Sequence, residues 1–315
     1  MKLSLFDTHC DTAFELFHRN EALCDNTCHI SLSHAKEYEK YVQLFAIWAN
    51  RRKDDETCWQ EFLQIADNFD RLIANENGAI VRVTDKKTLD QTLQNGQRAA
   101  ILAVEDARIL AGDIDRLQTL YDKGVRCITL LWGGETCIGG SHDTNVGLTD
   151  FGKLVTKRCF EIGIVPDISH ASEQSTDDVI EIAQACNKPF IATHSNSYSA
   201  YAHTRNLRDR HLKALMELGG TVGVSMCCSH LRNCSDKNAA IDDVVRHIDR
   251  YMELGAQDHL CFGCDFDGTD LPMGMTNVGD LYAIAEALFN RGYSQELIDK
   301  IFWHNAHSFF QKQLT

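Results

Sequence analysis

The decapeptide "LFDTHCDTAF", residues 5–14, sets His9, Cys10 and Asp11 side by side near the start of the chain. Two chemistries compete for it: a cysteine nucleophile with a histidine base, or a metal site that contains a cysteine by coincidence. The residues leading in, "KLSLFDTH", turn from apolar to polar, as a strand does when it runs out to a functional edge. Side chains alternate along a strand, so His9 and Asp11 share one face and Cys10 points to the other. Groups on opposite faces cannot share a proton, and a thiol nucleophile needs its base within reach. The coherent pair is His-x-Asp, with Cys10 packed away.

Ligand types of the same kind recur along the chain: Glu105 in "LAVEDA", His170 in "VPDISHAS", His194 in "IATHSNS" and Asp265 in "FGCDFDG". Each follows a short apolar, β-branched run. Together with His9 and Asp11 they make three imidazoles and three carboxylates, the donors zinc prefers in the absence of thiolates. That set exceeds the needs of one tetrahedral ion and suits two ions sharing a carboxylate. Such a pair, about 3.5–4 Å apart, activates water and polarises a carbonyl or phosphoryl oxygen. Asp167, in "PDISH", is expected to cap the turn there or to hold the His170 ring. With fourteen histidines in the chain, His18, His34, His247 and His304 are assigned to surface or structural roles.

Positioning such a set requires several strand ends on one rim. Candidate strands fall at 3–9, 42–49, 99–104, 126–131, 163–168, 189–194, 220–225 and 259–265, separated by helical stretches such as "CWQEFLQIADNFDRLIANE" and "AIDDVVRHIDRYMELGA". Several helices finish on Gly or Asn, as C-caps do. Eight strands alternating with helices predict an α/β fold, a (β/α)8 TIM-type barrel whose chemistry sits at the C-terminal ends of the strands. A doubly wound sheet is the rival, but no strand is followed by a Gly-rich phosphate loop. Three prolines and no Ser/Gly-rich tract leave no evident linker. One domain over 1–315 is expected, closed by a C-terminal helical pair around 280–313.

The composition narrows the partners. Of 315 residues, 44% are hydrophobic and 24% charged, enough for a large core. A formal net charge of −14 argues against nucleic acid. The basic run "RRK" at 51–53 reads as a solvated turn. No signal-peptide core or membrane-length apolar run stands out, so no membrane partner is expected. Thirteen cysteines then imply free thiols in a reducing cytoplasm. Neither Cys24, Cys28 and His29 nor Cys261 and Cys264 should bind zinc: the first group lacks a second pair, and the other two face opposite sides of a strand.

At this point the motifs resemble a known family. "FDTHCDT", "AVEDA", "GLTDFGKLVTKRCFEIGIVPDISHAS", "FIATHSNS", "AHTRNLRDRHLKALMELGGTVGV" and "FGCDFDG" occur in the order found in membrane (renal) dipeptidase-type metallopeptidases of the amidohydrolase superfamily. The resemblance implies two zinc ions, one held by His9, Asp11 and Glu105, the other by Glu105, His170 and His194, with Asp265 beside the first. It implies a dipeptide substrate, often with a D-residue at the C-terminal position, cleaved by a metal-activated water with Asp265 and Glu105 as catalytic carboxylates. It assigns Arg205 to the substrate carboxylate, fitting for a planar bidentate donor; capping a helix or pairing with Asp209 is the plainer alternative. Members of the family are often dimers, so a homodimer is expected among its assemblies.

Three departures bear on the pocket. Trp132 stands where some members carry a substrate-contacting histidine, Asp106 and Ala107 replace a common Gly-Gly, and "HNAHSFF" lacks an arginine after Asn305. The alternative activities are other amidohydrolase-type reactions, on N-acyl amino acids or cyclic amides. A catalytically inactive ligand-binding homologue would show a broken ligand set, and this set is complete.

Overall fold

The computed structural model describes residues 2–233 and 238–314. Its strands are β1 (Leu5–Asp7), β2 (Tyr41–Trp48), β3 (Ile80–Arg82), β4 (Arg98–Glu105), β5 (Val125–Thr129), β6 (Val165–Asp167), β7 (Ile191–Ala192), β8 (Thr221–Val224) and β9 (Leu260–Phe262). All pair in parallel, in the order β2-β1-β9-β8-β7-β6-β5-β4-β3, and β2 also pairs with β4. That last pairing closes an eight-stranded barrel in which Val42 through Trp48 run beside Ala99 through Glu105. The eight expected strands are all present; six are shorter than their apolar runs, while β2 matches its run in length and β4 exceeds it. The ninth, β3, was not expected. It pairs with the first half of β4, before the register shift at Leu102/Ala103 where β5 takes over.

Parallel strands are buried on both faces, which is why they read as unbroken apolar runs. Leu5 packs outward with the helices, while Phe6, Val42, Leu44, Ile101, Val165 and Cys261 fill the barrel interior. Cys264 packs outward, so Cys261 and Cys264 lie on opposite sides as the strand period requires. The expected helices are present between strands, among them Asp55–Asn75, Asp150–Ile162, Glu173–Cys186, Asp209–Glu217 and Ile241–Glu253. Side-chain caps start several: Asp54 accepts from Thr57 N, Thr149 from Gly152 N and Ser172 from Ser175 N. Gly163 and Asn187 end two of them in the left-handed region.

Instead of a simple C-terminal pair, helix Leu281–Asn290 is followed by a nearly continuous helical run over Gln295–Asp299, Lys300–His304 and Asn305–Gln313. Asn305 donates to the carbonyls of Gln257 and Leu260, tying this run to the start of β9. Phe309 and Phe310 belong to the same buried cluster as the barrel interior, and Phe310 stacks on Phe6 at 5.2 Å. The last helix thereby stoppers the N-terminal mouth of the barrel, and the opposite rim stays open. No helix among the described residues is long and apolar enough to cross a membrane.

This division of labour has a measurable consequence. Phe310→Ala removes a fully buried ring and should cost about 3–5 kcal/mol of stability in chemical denaturation. The folded fraction should retain the chemistry of the other rim; a variant as stable as the parent would show that the stopper carries no core.

Candidate metal centre

The ligand types lie at, or just past, the C-terminal ends of their strands. Glu105 is the last residue of β4, while His9, His170, His194 and Asp265 lie two or three residues beyond β1, β6, β7 and β9. The chain must turn sharply there to aim side chains back over the barrel axis. His170 and Asp265 consequently adopt φ of 69° and 64°, a left-handed conformation that costs a non-glycine residue about 1–3 kcal/mol and clusters at functional sites.

Six side chains meet over the barrel. Glu105 Oε1 lies 3.1 Å from His170 Nε2, 3.3 Å from His194 Nε2 and 3.6 Å from His9 Nε2. His9 Nε2 is also 3.9 Å from Asp11 Oδ2 and from Asp265 Oδ1. Two donor groups compact enough for a cation emerge, His9–Glu105–His194 and His9–Asp11–Asp265. Cys10 is fully buried in the outer core, away from them.

The electrostatics of this ring are unfavourable as it stands. Burial, then the neighbouring Asp11 and Asp265 charges, hold Glu105 well above the usual carboxylate range. Burial and the charges of Asp265 and Asp267 do the same to Asp11. Burial lifts Asp265 to about 6 against the pull of Arg205. Burial lowers His9 to about 3 and drives His170 and His194 well below their ordinary value. The imidazoles are therefore neutral, with lone pairs available. His9 Nε2 and Asp11 Oδ1 are buried without any hydrogen-bond partner, and orphaned acceptors of this kind are rare. Donor types, compactness and orphaned lone pairs all fit a divalent cation.

A hydrogen-bonded chain fixes one of these ligands. Asp167 accepts from Thr129 and Thr193 hydroxyls and from the backbone N–H of Ser169 and Thr193. With its own proton given to Asp167, Thr193 Oγ1 accepts from His194 Nδ1 at 2.7 Å, which leaves His194 Nε2 bare. Asp167 caps its turn as expected, but it orients His194 through Thr193; the expected link to His170 is absent, and His170 Nδ1 has no partner. Asp7 anchors the seam instead of joining the ring, accepting from Cys264 N and His9 N.

A cavity of 440 Å³ opens onto the ring, bordered by Asp11, Glu105, His170 and Asp265. Arg205 lines it as well, 4% exposed. Its guanidinium donates to Ser195 Oγ and to the His194 carbonyl, and Nε has no partner. Asp209 pairs with Arg250 instead, so the plainer alternative for Arg205 does not hold. Trp132 forms a wall, its ring 5.8 Å from that of His170 and 5.1 Å from that of Trp48. Gly268 closes the floor: a Cβ there would sit 2.1 Å from Asp11 Oδ2 and 2.6 Å from Asp265 Oδ1, so only glycine lets both carboxylates approach.

Trp48, Arg51, His142 and His230 also line the cavity and were not expected. Trp48 ends β2, where the strand-end rule could have found it; Arg51 and His142 sit in turns and His230 in the four-residue helix Cys228–Leu231, which no strand pattern marks. His247 is structural as expected, between Ser197 N and the Leu231 carbonyl. Cys24, Cys28 and His29 form no metal cluster among the described residues, and His29 is taken up by Asp267. The twelve described cysteines are free, and Cys234 lies outside the described residues.

A family model for membrane dipeptidase, peptidase family M19, matches residues 1–313. An uncharacterized protein in the pqqA 5'region of Klebsiella pneumoniae is 31% identical over 245 residues, 75% of this chain and 89% of that protein. A dipeptidase of metallopeptidase family M19 superimposes with TM-score 0.90 at 26% identity, over 100% of this chain and 98% of its own. So does a Rhodobacter sphaeroides metallopeptidase liganded with a phosphinate mimic of the dipeptide L-Ala-D-Ala, with TM-score 0.90 at 25% identity over the full length of both chains. With its barrel and a family match spanning almost every residue, this chain belongs to the membrane dipeptidase family, peptidase family M19, and is a hydrolase of peptide bonds.

Proposed function

We propose that the chain is a cytoplasmic, single-domain dipeptidase dependent on two zinc ions, cleaving dipeptides and accepting a D-residue at the C-terminal position. The observation that carries the metal count is Glu105 Oε1, within 3.6 Å of all three imidazole Nε2 atoms and so placed to serve two cations at once. His9, Asp11 and Glu105 would hold one ion, with Asp265 beside it, and Glu105, His170 and His194 the other. When bound, such a pair acidifies a shared water and draws charge from the peptide carbonyl. The tolerance of a D-residue is supported by the likeness to the protein liganded with an L-Ala-D-Ala mimic. Twelve free cysteines fit a reducing compartment.

The chain's own groups supply the rest. Asp265 borders both the ring and the cavity, where its carboxylate can take a proton from the attacking water and return it to the departing amine. Arg205, buried on the wall and short of one partner, grips the substrate's terminal carboxylate and so limits cleavage to one residue before the chain end. Trp132 packs against the His170 ring, keeps water from it and offers an apolar face to substrate. N-acyl amino acids carry the same terminal carboxylate and are the second reading this Arg205 geometry allows.

The deciding experiment is hydrolysis of L-L and L-D dipeptides, matched tripeptides and N-acyl amino acids by zinc-loaded protein. Dipeptides alone should be cleaved, chelation should abolish the activity, and Asp265→Asn should lower kcat by about 10²–10⁴-fold. Turnover of N-acyl amino acids without dipeptides would transfer the assignment to the second reading.

Metal retention tests the ring independently of turnover. Thr193→Val removes the acceptor of the His194 Nδ1 proton and should weaken zinc affinity about 10–100-fold in chelator competition. Gly268→Ala should lose metal while the far-ultraviolet spectrum stays that of the parent; full zinc content in either variant would contradict the role given to that residue.

A further inference from the structure

One cation on the rim is unused by the ligand ring. Arg51 follows β2 in the turn that reads as a solvated basic run, yet it lines the catalytic cavity. Its guanidinium carbon lies 5.8 Å from the centroid of the Trp132 ring. Its two neighbours behave differently: Lys53 is taken by Glu61, and Arg52 borders no part of the cavity. Among the described residues no carboxylate pairs with Arg51. A stacked, unpaired guanidinium at a cavity wall is what recognition of an anionic group requires.

The turn is held in place for it. Arg108 donates to the carbonyls of Asn50 and Lys53 and to Asp55 Oδ1, at 2.8–2.9 Å. Its backbone N–H is in turn held by Asp106, which takes a φ of 80° where a glycine would be usual. Asp106 and Arg108 together thus clamp the loop that presents Arg51.

Position around the rim says which part of a substrate meets this cation. The barrel runs β1, β2, β4, β5, β6, β7, β8, β9 and back to β1, so Arg51, after β2, stands four strands from Arg205, after β7, with the ligand ring between them. A dipeptide whose terminal carboxylate rests on Arg205 and whose scissile carbonyl lies over the ring directs its N-terminal residue toward Arg51. Resting on the dipeptidase reading above, we propose that Arg51, stacked on Trp132, selects substrates with an acidic side chain at the N-terminal residue. The aliphatic stem of a glutamyl side chain would lie on the Trp132 face and its carboxylate against Arg51. Two guanidinium groups at opposite ends then match a substrate with two carboxylates.

The test compares glutamyl-alanine, glutaminyl-alanine and lysyl-alanine, which differ in charge alone or nearly so, with alanyl-glutamate as the positional control. The parent enzyme should prefer the glutamyl over the glutaminyl substrate about tenfold or more in kcat/KM at low ionic strength, less in high salt. Arg51→Gln should bring that ratio near one, and Arg51→Glu should turn the preference toward lysyl-alanine. A parent ratio near one, or a ratio that survives Arg51→Gln, overturns the assignment of Arg51. A charge preference that depends on Arg51 for alanyl-glutamate, and not for glutamyl-alanine, overturns its placement at the N-terminal residue. Failure to cleave any of the dipeptides removes the dipeptidase reading itself, an outcome distinct from cleavage without selectivity.

Discussion

Three carboxylates and three neutral imidazoles buried within a few ångströms of one another form the constraint on which the rest of the molecule depends. Glu105, Asp11 and Asp265 repel one another in a medium that already disfavours their charge. Isolated buried charges of this kind cost many kcal/mol and ordinarily neutralise. The Arg205 guanidinium reaches the ring with its field, acting on Glu105 and Asp265 and on all three imidazoles. A divalent cation reverses the balance, since it favours the deprotonated carboxylates and takes up the bare imidazole nitrogens. The ring is arranged for a charge that the polypeptide itself does not contain.

Holding such a ring requires a rigid frame, and the closed barrel supplies one. Each ligand is fixed by the strand before it, and the strands are fixed by burial on both faces and by the Phe309–Phe310 stopper. The cost reappears at the rim, in the left-handed backbone of His170 and Asp265 and in the glycine demanded at 268. Strain gathered at the ligands, with ordinary geometry elsewhere in the strands, is the pattern expected where position matters more than local stability.

Much of this was legible in the sequence, for a physical reason. A parallel barrel strand is apolar throughout except where it ends, so a His or Glu after a β-branched run marks both the strand's end and the rim. That logic found His9, Glu105, His170, His194 and Asp265 without any contact information. It overestimated the length of strands such as β1, β6, β7 and β9, because the residues that turn His9, His170, His194 and Asp265 inward have left the ladder while still looking strand-like in composition. It missed β3, where Arg82 interrupts the apolar run and only Ile80 is fully buried. His142 escaped because a turn has no period, and His230 because its helix, Cys228–Leu231, is too short to show one. Of the two roles open to Asp167 in the sequence, it takes the cap and not the link to His170: β6 and β7 are neighbours in the sheet, and the Thr193 hydroxyl reaches Asp167 across that seam.

The turn at 51–53 shows how composition alone can mislead about a site. A run of three cations is normally solvated, and by that standard Arg51 is unremarkable. Its meaning comes from residues distant in sequence: Trp132, which gives the guanidinium a surface to lie on, and Arg108, which fixes the carbonyls on either side of it. Arg108 can do this because Asp106, though not a glycine, accepts a positive φ and caps the turn that aims the guanidinium outward. Asp106 and Trp132 are therefore coupled through one loop. Asp106 acts on Arg51 through the anchor that Arg108 provides, and Trp132 acts on it directly as a platform, so the position of Arg51 depends on both.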